Sequence, residues 1–221
     1  MSAILQSLRD ILYTLPCILL ALTVHEVAHG WMAMKLGDPT ARNLGRLTLN
    51  PLKHLDPVGT ICMVFFHFGW ARPVPINTRY FKKPRRDMAL SALAGPVSNI
   101  CMGFLGVLLF QIFLTVFQAH PAQGFAFNIQ LSVLTLLQYF YSLNISLAVF
   151  NLIPIPPLDG SRIFLTFLPP RYYFGIMQYE RYIQFGLMLC LYIGLLDKPL
   201  RFLVNGLATL IFRLVELLPF I

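Results

Sequence analysis

Charge is what this 221-residue chain has least of: 12% of its residues are Asp, Glu, Lys or Arg, and 57% are hydrophobic. A soluble domain of this size carries about 25% charged residues, so a freely soluble globular class is excluded. Acidic residues are scarcest, nine in all against seventeen basic ones, which gives a net charge of +8. That excess is not the footprint of a nucleic-acid binder, because it is not spread over a polar folded surface; ten of the seventeen Lys and Arg fall between Lys35 and Arg86. Cysteine is also sparse. Cys17, Cys62, Cys101 and Cys190 each stand alone in apolar sequence, with no CxxC spacing, which excludes a disulfide framework and a cysteine-built zinc site. The N-terminus lacks a small-residue cleavage site and is read as part of the mature protein.

Long apolar runs fill the space that charge leaves. Ile11 to Met34, Met88 to Phe117 and Leu131 to about Ile155 can each cross roughly 30 Å of hydrocarbon as helices. The expected fold is an α-helical integral membrane protein forming one domain over residues 1–221. It should contain about four to six membrane helices, with core helices near 11–36, 88–117 and 131–160 and C-terminal helices within 180–219. Val58 to Gly69 is too short to cross and holds two glycines, so residues 57–70 are expected to be re-entrant. Arg201, Asn205, Thr209 and Arg213 recur every four residues, which suggests an amphipathic C-terminal helix at the interface, with a further crossing as the alternative. The runs Asn43 to Asn50 and Phe68 to Asn77 read as a small membrane-dipping β element, the prolines at 73 and 75 confining the second run to an edge.

Basic residues orient the chain. Segments 35–86 and 162–181 hold thirteen of the seventeen Lys and Arg, whereas the connection from Gln118 to Gln130 holds none. With the basic segments cytoplasmic, the first helix enters the cytoplasm near Lys35.

Within that helix lies His25-Glu26-Val27-Ala28-His29, an HExxH motif. Two histidines four residues apart share a helix face and can hold one zinc, and the glutamate between them can act as a base. Ionisable groups at membrane depth are costly and read as functional. His29 falls about six residues, or roughly 9 Å at 1.5 Å per residue, from Lys35, in the cytoplasmic half of a bilayer. A catalytic zinc usually takes three protein ligands. The soluble pattern HExxHxxGxxH fails, since Met32 and Lys35 stand where Gly and His are needed, and the next glutamate after Glu26 is Glu180. Asp38, Asp56, Asp87, Asp159, His54 and His67 are left. Asp38 and Asp56 precede prolines as turn residues do, Asp87 suits an N-cap or a partner for the basic run, and His54 reads as a surface residue. Asp159 follows three prolines after a membrane run, either as a ligand or as part of a helix exit and turn.

Together HEVAH at 25–29, GRLTLNPLKHLDPVGT at 45–60, FGWARPVPIN at 68–77, ALAGPVSN at 92–99 and NLIPIPPLDG at 151–160 resemble the site-2 protease family of intramembrane zinc metalloproteases, in its small prokaryotic form without PDZ or CBS domains. The resemblance implies one zinc per chain, held by His25, His29 and Asp159, with Glu26 as catalytic base. Through the GPxxN match it places Gly95, Pro96 and Asn99 beside the site, Asn99 as a donor to substrate or oxyanion or as a support; through the 151–160 match it makes Asn151 a residue that satisfies broken backbone or orients Asp159. Trp70 and Ala71 would offer a strand edge to an unwound substrate. The implied partners are transmembrane protein substrates and the lipid bilayer, and the implied location is the inner cell membrane. Two rival readings exist: a catalytically silent membrane-protein binder, against which Glu26 speaks, and a metal transporter, which would need Asp, Glu or His between Met88 and Phe117 or Leu131 and Ile155, where there are none.

Overall fold

The computed structural model describes residues 3–56, 59 and 72–218. Among the described residues the regular elements are helices, apart from one bridge at Leu55. Three helices among the described residues are long and apolar enough to cross a membrane: α1 (Ala3–Lys35), α3 (Pro84–Ala119) and α4 (Phe125–Asn151), with a short α2 (Thr40–Asn43) after the first. The apolar part of α1, from Arg9 to Lys35, is 27 residues, about 40 Å at 1.5 Å per residue, so it exceeds the hydrocarbon core. Its end is set locally. Gly37 takes a left-handed φ of 110°, and Asp38 then accepts hydrogen bonds from the Thr40 amide, at 2.9 Å, and from the Thr40 hydroxyl.

Helix α3 begins where Pro84 occupies its first turn, a position that needs no amide donor. The buried Asp87 reaches back to the Lys83 amide at 2.9 Å and pairs with Arg86. It is therefore a partner of the basic run; the N-cap position itself is Lys83, whose amide Asp87 satisfies from within the first turn. Packing of α3 on α4 depends on small residues: a Cβ at Gly103 or Gly106 would sit 2.8 Å from Ile145 or Phe140, so the backbones approach closely there.

The third long helix stops at Asn151, earlier than the expected 131–160, and starts sooner, at Phe125. Prolines at 154, 156 and 157 cannot continue the amide ladder. The chain turns and restarts as α5 (Asp159–Phe164). Short helices α6 (Pro170–Met177) and α7 (Glu180–Tyr192) follow, and α7 buries only Leu187. The last helix, α8 (Asp197–Glu216), packs Ile211 and Val215 against Val107 of α3 and Ile145 of α4, with Phe212 edge-on to Tyr141. Its polar stripe keeps it out of the set of apolar spans.

The small β element is not formed as expected. Asn43 closes α2, Gly45 turns at φ 60°, and residues 46–50 make no strand. Residues 72–77 run extended, but Pro73 and Pro75 lack amide donors, while Arg46 takes the Arg72 and Pro73 carbonyls at 2.8 and 3.3 Å. Leu55 forms a bridge, and the Arg72 amide donates to the His54 carbonyl at 2.8 Å, beyond the end of the 43–50 run. His54 is not a surface residue: it is 1% exposed, and one of its ring nitrogens lies 2.8 Å from the Thr48 carbonyl. Trp70, Ala71, His67 and nearly all of the expected re-entrant stretch lie outside the described residues.

Candidate metal centre

Helix periodicity stacks His25 and His29 on one face of α1, turned toward α3. There they meet Gly95. A Cβ built on Gly95 would fall 2.5 Å from His29 Nε2 and 2.6 Å from His25 Cε1, so only glycine leaves room for both rings. The rings stand at 88° to one another and are 5% and 7% exposed.

Each ring is held at Nδ1. His29 Nδ1 lies 2.7 Å from the Ser91 carbonyl, which can only accept, so that nitrogen carries the proton. His25 Nδ1 lies 2.6 Å from Asn99 Oδ1 and donates to it in the same way. Both Nε2 atoms therefore present bare lone pairs. They lie 3.0 Å apart and converge on Asp159 Oδ2, at 3.1 Å from His25 and 3.2 Å from His29.

Asp159 arrives there from the proline turn at the start of α5. Gly160 lets it, since a Cβ on Gly160 would collide with the Leu152 and Ile153 carbonyls. Asp159 Oδ2 is buried with no hydrogen-bond partner. Three acceptors and no donor repel one another in a low-dielectric interior unless a cation stands between them. Ligands about 2.05 Å from a tetrahedral zinc lie about 3.3 Å apart, so the observed separations fit such an ion. Among the described residues, His25, His29 and Asp159 are the group of His, Cys, Asp and Glu side chains able to share a metal.

Glu26 stands outside that trio. Its Oε2 accepts from the Val74 amide at 2.7 Å. The extended segment 72–77 is thus fastened over the site from both ends, for Asp38 Oδ2 takes the Asn77 amide at 2.6 Å. Glu26, both histidines, Asp159 and Asn151 line one cleft of about 600 Å³, with Val74 and Ile76 on one wall and Arg162, Glu180 and Gln184 on another. Arg162 and Glu180 are 3.5 Å apart there.

The helix pattern brings His25, Glu26, His29, Gly95, Pro96, Asn99, Asn151 and Asp159 into or beside one region, where both asparagines bond main-chain carbonyls and Asn99 also holds a ligand ring. Asn99 has no amide hydrogen left for a substrate. Its Nδ2 donates to the Ala21 carbonyl at 3.2 Å and to Asn144 Oδ1 at 2.9 Å, and the residue is fully buried. Asn151 lines the cleft, yet its amide donates back to the Leu147 carbonyl at 3.0 Å, a bond within its own helix. Ser91, Val74 and Asp38 were not found from the sequence. Ser91 and Val74 act through main-chain atoms, which no residue type announces, while Asp38 is the turn residue its Asp-Pro setting suggests and also holds the Asn77 amide.

A helical membrane chain that aims two imidazoles and one carboxylate at a single point, with a separate glutamate alongside, is of the class of membrane-embedded zinc metalloproteases. The profile of Peptidase family M50 matches residues 13–193, and the chain belongs to that family. It is 44% identical over 174 residues to YwhC of Bacillus subtilis, a protein assigned provisionally by its name to the zinc metalloproteases; the match takes in 77% of this chain and 75% of that one. Rip2 of Mycolicibacterium smegmatis, named in the same way, is 32% identical over 148 residues, and Rip2 of Mycobacterium tuberculosis H37Rv is 30% identical over the same length. These matches cover 64% of this chain and 52% of each mycobacterial protein, so the chain spans about half their length. No solved structure matches it significantly.

Proposed function

We propose that the chain is a single intramembrane protease domain that hydrolyses peptide bonds in or near transmembrane segments of other membrane proteins. In this reading His25, His29 and Asp159 hold one zinc and Glu26 is the catalytic base. The observation that carries it is the convergence of His25 Nε2, His29 Nε2 and Asp159 Oδ2, the last buried with no hydrogen-bond partner, beside a carboxylate that a backbone amide holds in place.

Zinc bound there supplies a Lewis acid that lowers the pKa of a water toward about 7 and polarises the scissile carbonyl. The chain's own residues do the rest. Glu26 takes the proton of the attacking water and passes it to the leaving amine. The Val74 amide fixes one oxygen of that carboxylate and leaves the other for the proton. Ser91 and Asn99 hold the imidazoles in the tautomer whose Nε2 atoms are ligands. A substrate helix must unwind to present a carbonyl, because helical backbone is internally bonded. Trp70 and Ala71, just before the extended segment, are the proposed positions for pairing with the unwound strand.

The site belongs to the cytoplasmic half of the cell membrane in this reading, supported by the basic segments 35–86 and 162–181 on that side. The test is metal analysis joined to cleavage of a single-span substrate. Glu26→Gln should keep wild-type zinc content and lose cleavage by at least about 100-fold. Asp159→Ala and His29→Ala should lose both. Full zinc and turnover in Asp159→Ala would refute the ligand set.

A further inference from the structure

The two buried asparagines of α3 and α4 form a directed chain, and each end of it is a main-chain carbonyl. A carbonyl can only accept, so the Ala21 carbonyl turns the Asn99 amide nitrogen toward itself and the Asn99 oxygen toward His25. At the other end the Phe140 carbonyl takes Asn144 Nδ2 at 2.8 Å. That turns Asn144 Oδ1 toward Asn99 Nδ2, the shorter of the two bonds holding the Asn99 amide. Asn99 and Asn144 are both fully buried, so water cannot stand in for a lost partner.

Resting on the ligand set proposed above, we infer that Asn144 is a positioning residue for the metal, acting through Asn99 to set the tautomer of His25. If the Asn99 amide turned over, its nitrogen would face His25 Nδ1 and demand an acceptor there. The ring proton would then sit on Nε2, where it blocks the ligand lone pair. The Ala21 carbonyl alone opposes that turn at 3.2 Å; with Asn144 it is opposed twice. The Asn144 side chain bonds Asn99 and the Phe140 carbonyl, and among the described residues no hydrogen bond joins it to either imidazole, so its influence on His25 runs through Asn99.

The prediction is read as zinc affinity, by chelator competition on the full chain in detergent, for a double-mutant cycle. Partners outside the ligand set of a zinc site typically govern 10–100-fold in affinity, and Asn99→Leu should lose about that much. Asn144→Leu should lose about 5–10-fold in the wild-type background and less than about twofold in the Asn99→Leu background, because its only route is then gone. A role in helix packing alone would give equal losses in both backgrounds, and that additivity overturns the inference, as does unchanged affinity in Asn144→Leu. If the leucine variant does not accumulate, Asn144→Ala carries the same expectation. Failure of the underlying reading looks different: wild type would bind no zinc, or Asp159→Ala would bind it as well as wild type does.

Discussion

Replacing Gly95 with alanine tests the site with one methyl group. In the interior of a helix such as α3, this change ordinarily stabilises by about 0.8–1.0 kcal/mol, because alanine has the higher helix propensity. Here the added Cβ would lie 2.5 Å from His29 Nε2 and 2.6 Å from His25 Cε1, where ordinary contact begins at 3.4 Å. The rings must therefore retreat by about 0.9 Å. They cannot do so freely, since His29 is held to the Ser91 carbonyl at 2.7 Å and His25 to Asn99 at 2.6 Å. Metal–ligand distances tolerate about 0.2 Å, so a shift several times larger removes both nitrogens from coordinating range. The expected loss in zinc affinity is at least about 100-fold, or about 2.8 kcal/mol at 1.4 kcal/mol per decade. Overpacking costs about 1–3 kcal/mol, so the metal-free protein should melt somewhat lower instead of higher. The assay combines zinc content after dialysis against graded chelator, cleavage of a single-span substrate, and thermal unfolding of the stripped protein. Gly186→Ala in α7, where a Cβ meets nothing within 4 Å, is the control and should leave all three unchanged or raise stability slightly. A Gly95→Ala protein that holds zinc within threefold of wild type and cleaves at the wild-type rate would refute the packing argument.

Three further outcomes follow. Asp38→Ala frees the Asn77 and Thr40 amides and slackens the segment that carries Val74 over Glu26; cleavage efficiency should fall about 10-fold, or about 1.4 kcal/mol, with zinc content unchanged, and a parallel loss of zinc would contradict this division of labour. Adding zinc to stripped protein at 100 times its dissociation constant should raise stability by about 2.7 kcal/mol, visible as a higher melting temperature that Asp159→Ala does not share. In a background with the native cysteines replaced, a cysteine at Lys83 should stay unlabelled by an impermeant thiol reagent in intact cells while one at Ala122 is labelled; the reverse would invert the orientation and move the site to the other half of the bilayer.

Spans and ligands differ in how far the sequence disclosed them. The three long helices were plain because their apolar runs far exceed what a bilayer requires, and His25 with His29 because a spacing of four is a helix face. Asp159 could not be singled out by its own neighbourhood, where prolines and Asp-Gly serve a turn equally well; its resemblance to a known motif supplied what local chemistry did not. Boundaries were less legible. The end of α4 at Asn151 is fixed by prolines three and more residues downstream, and the failure of 43–50 as a strand by Gly45 and by the reach of Arg46 into 72–77, which is a tertiary contact. Asn99 was legible as a polar residue at the depth of His25, but its direction was not. Only the positions of the Ala21 carbonyl and Asn144 determine which end of the amide faces the imidazole.

Much of the machinery around the ligands is main chain: the Ser91 carbonyl behind His29, the Val74 amide behind Glu26, the Ala21 and Phe140 carbonyls at the ends of the asparagine pair. A saturating mutational scan changes side chains and leaves these atoms in place. At Val74 and Phe140 it should register little beyond the tolerance of the surrounding packing, with proline at Val74 the exception because it deletes the donor. Such a map would draw the active centre smaller than it is. Exchanging the amide for an ester at residue 74 by backbone synthesis would uncover a dependence that no genetic code can write.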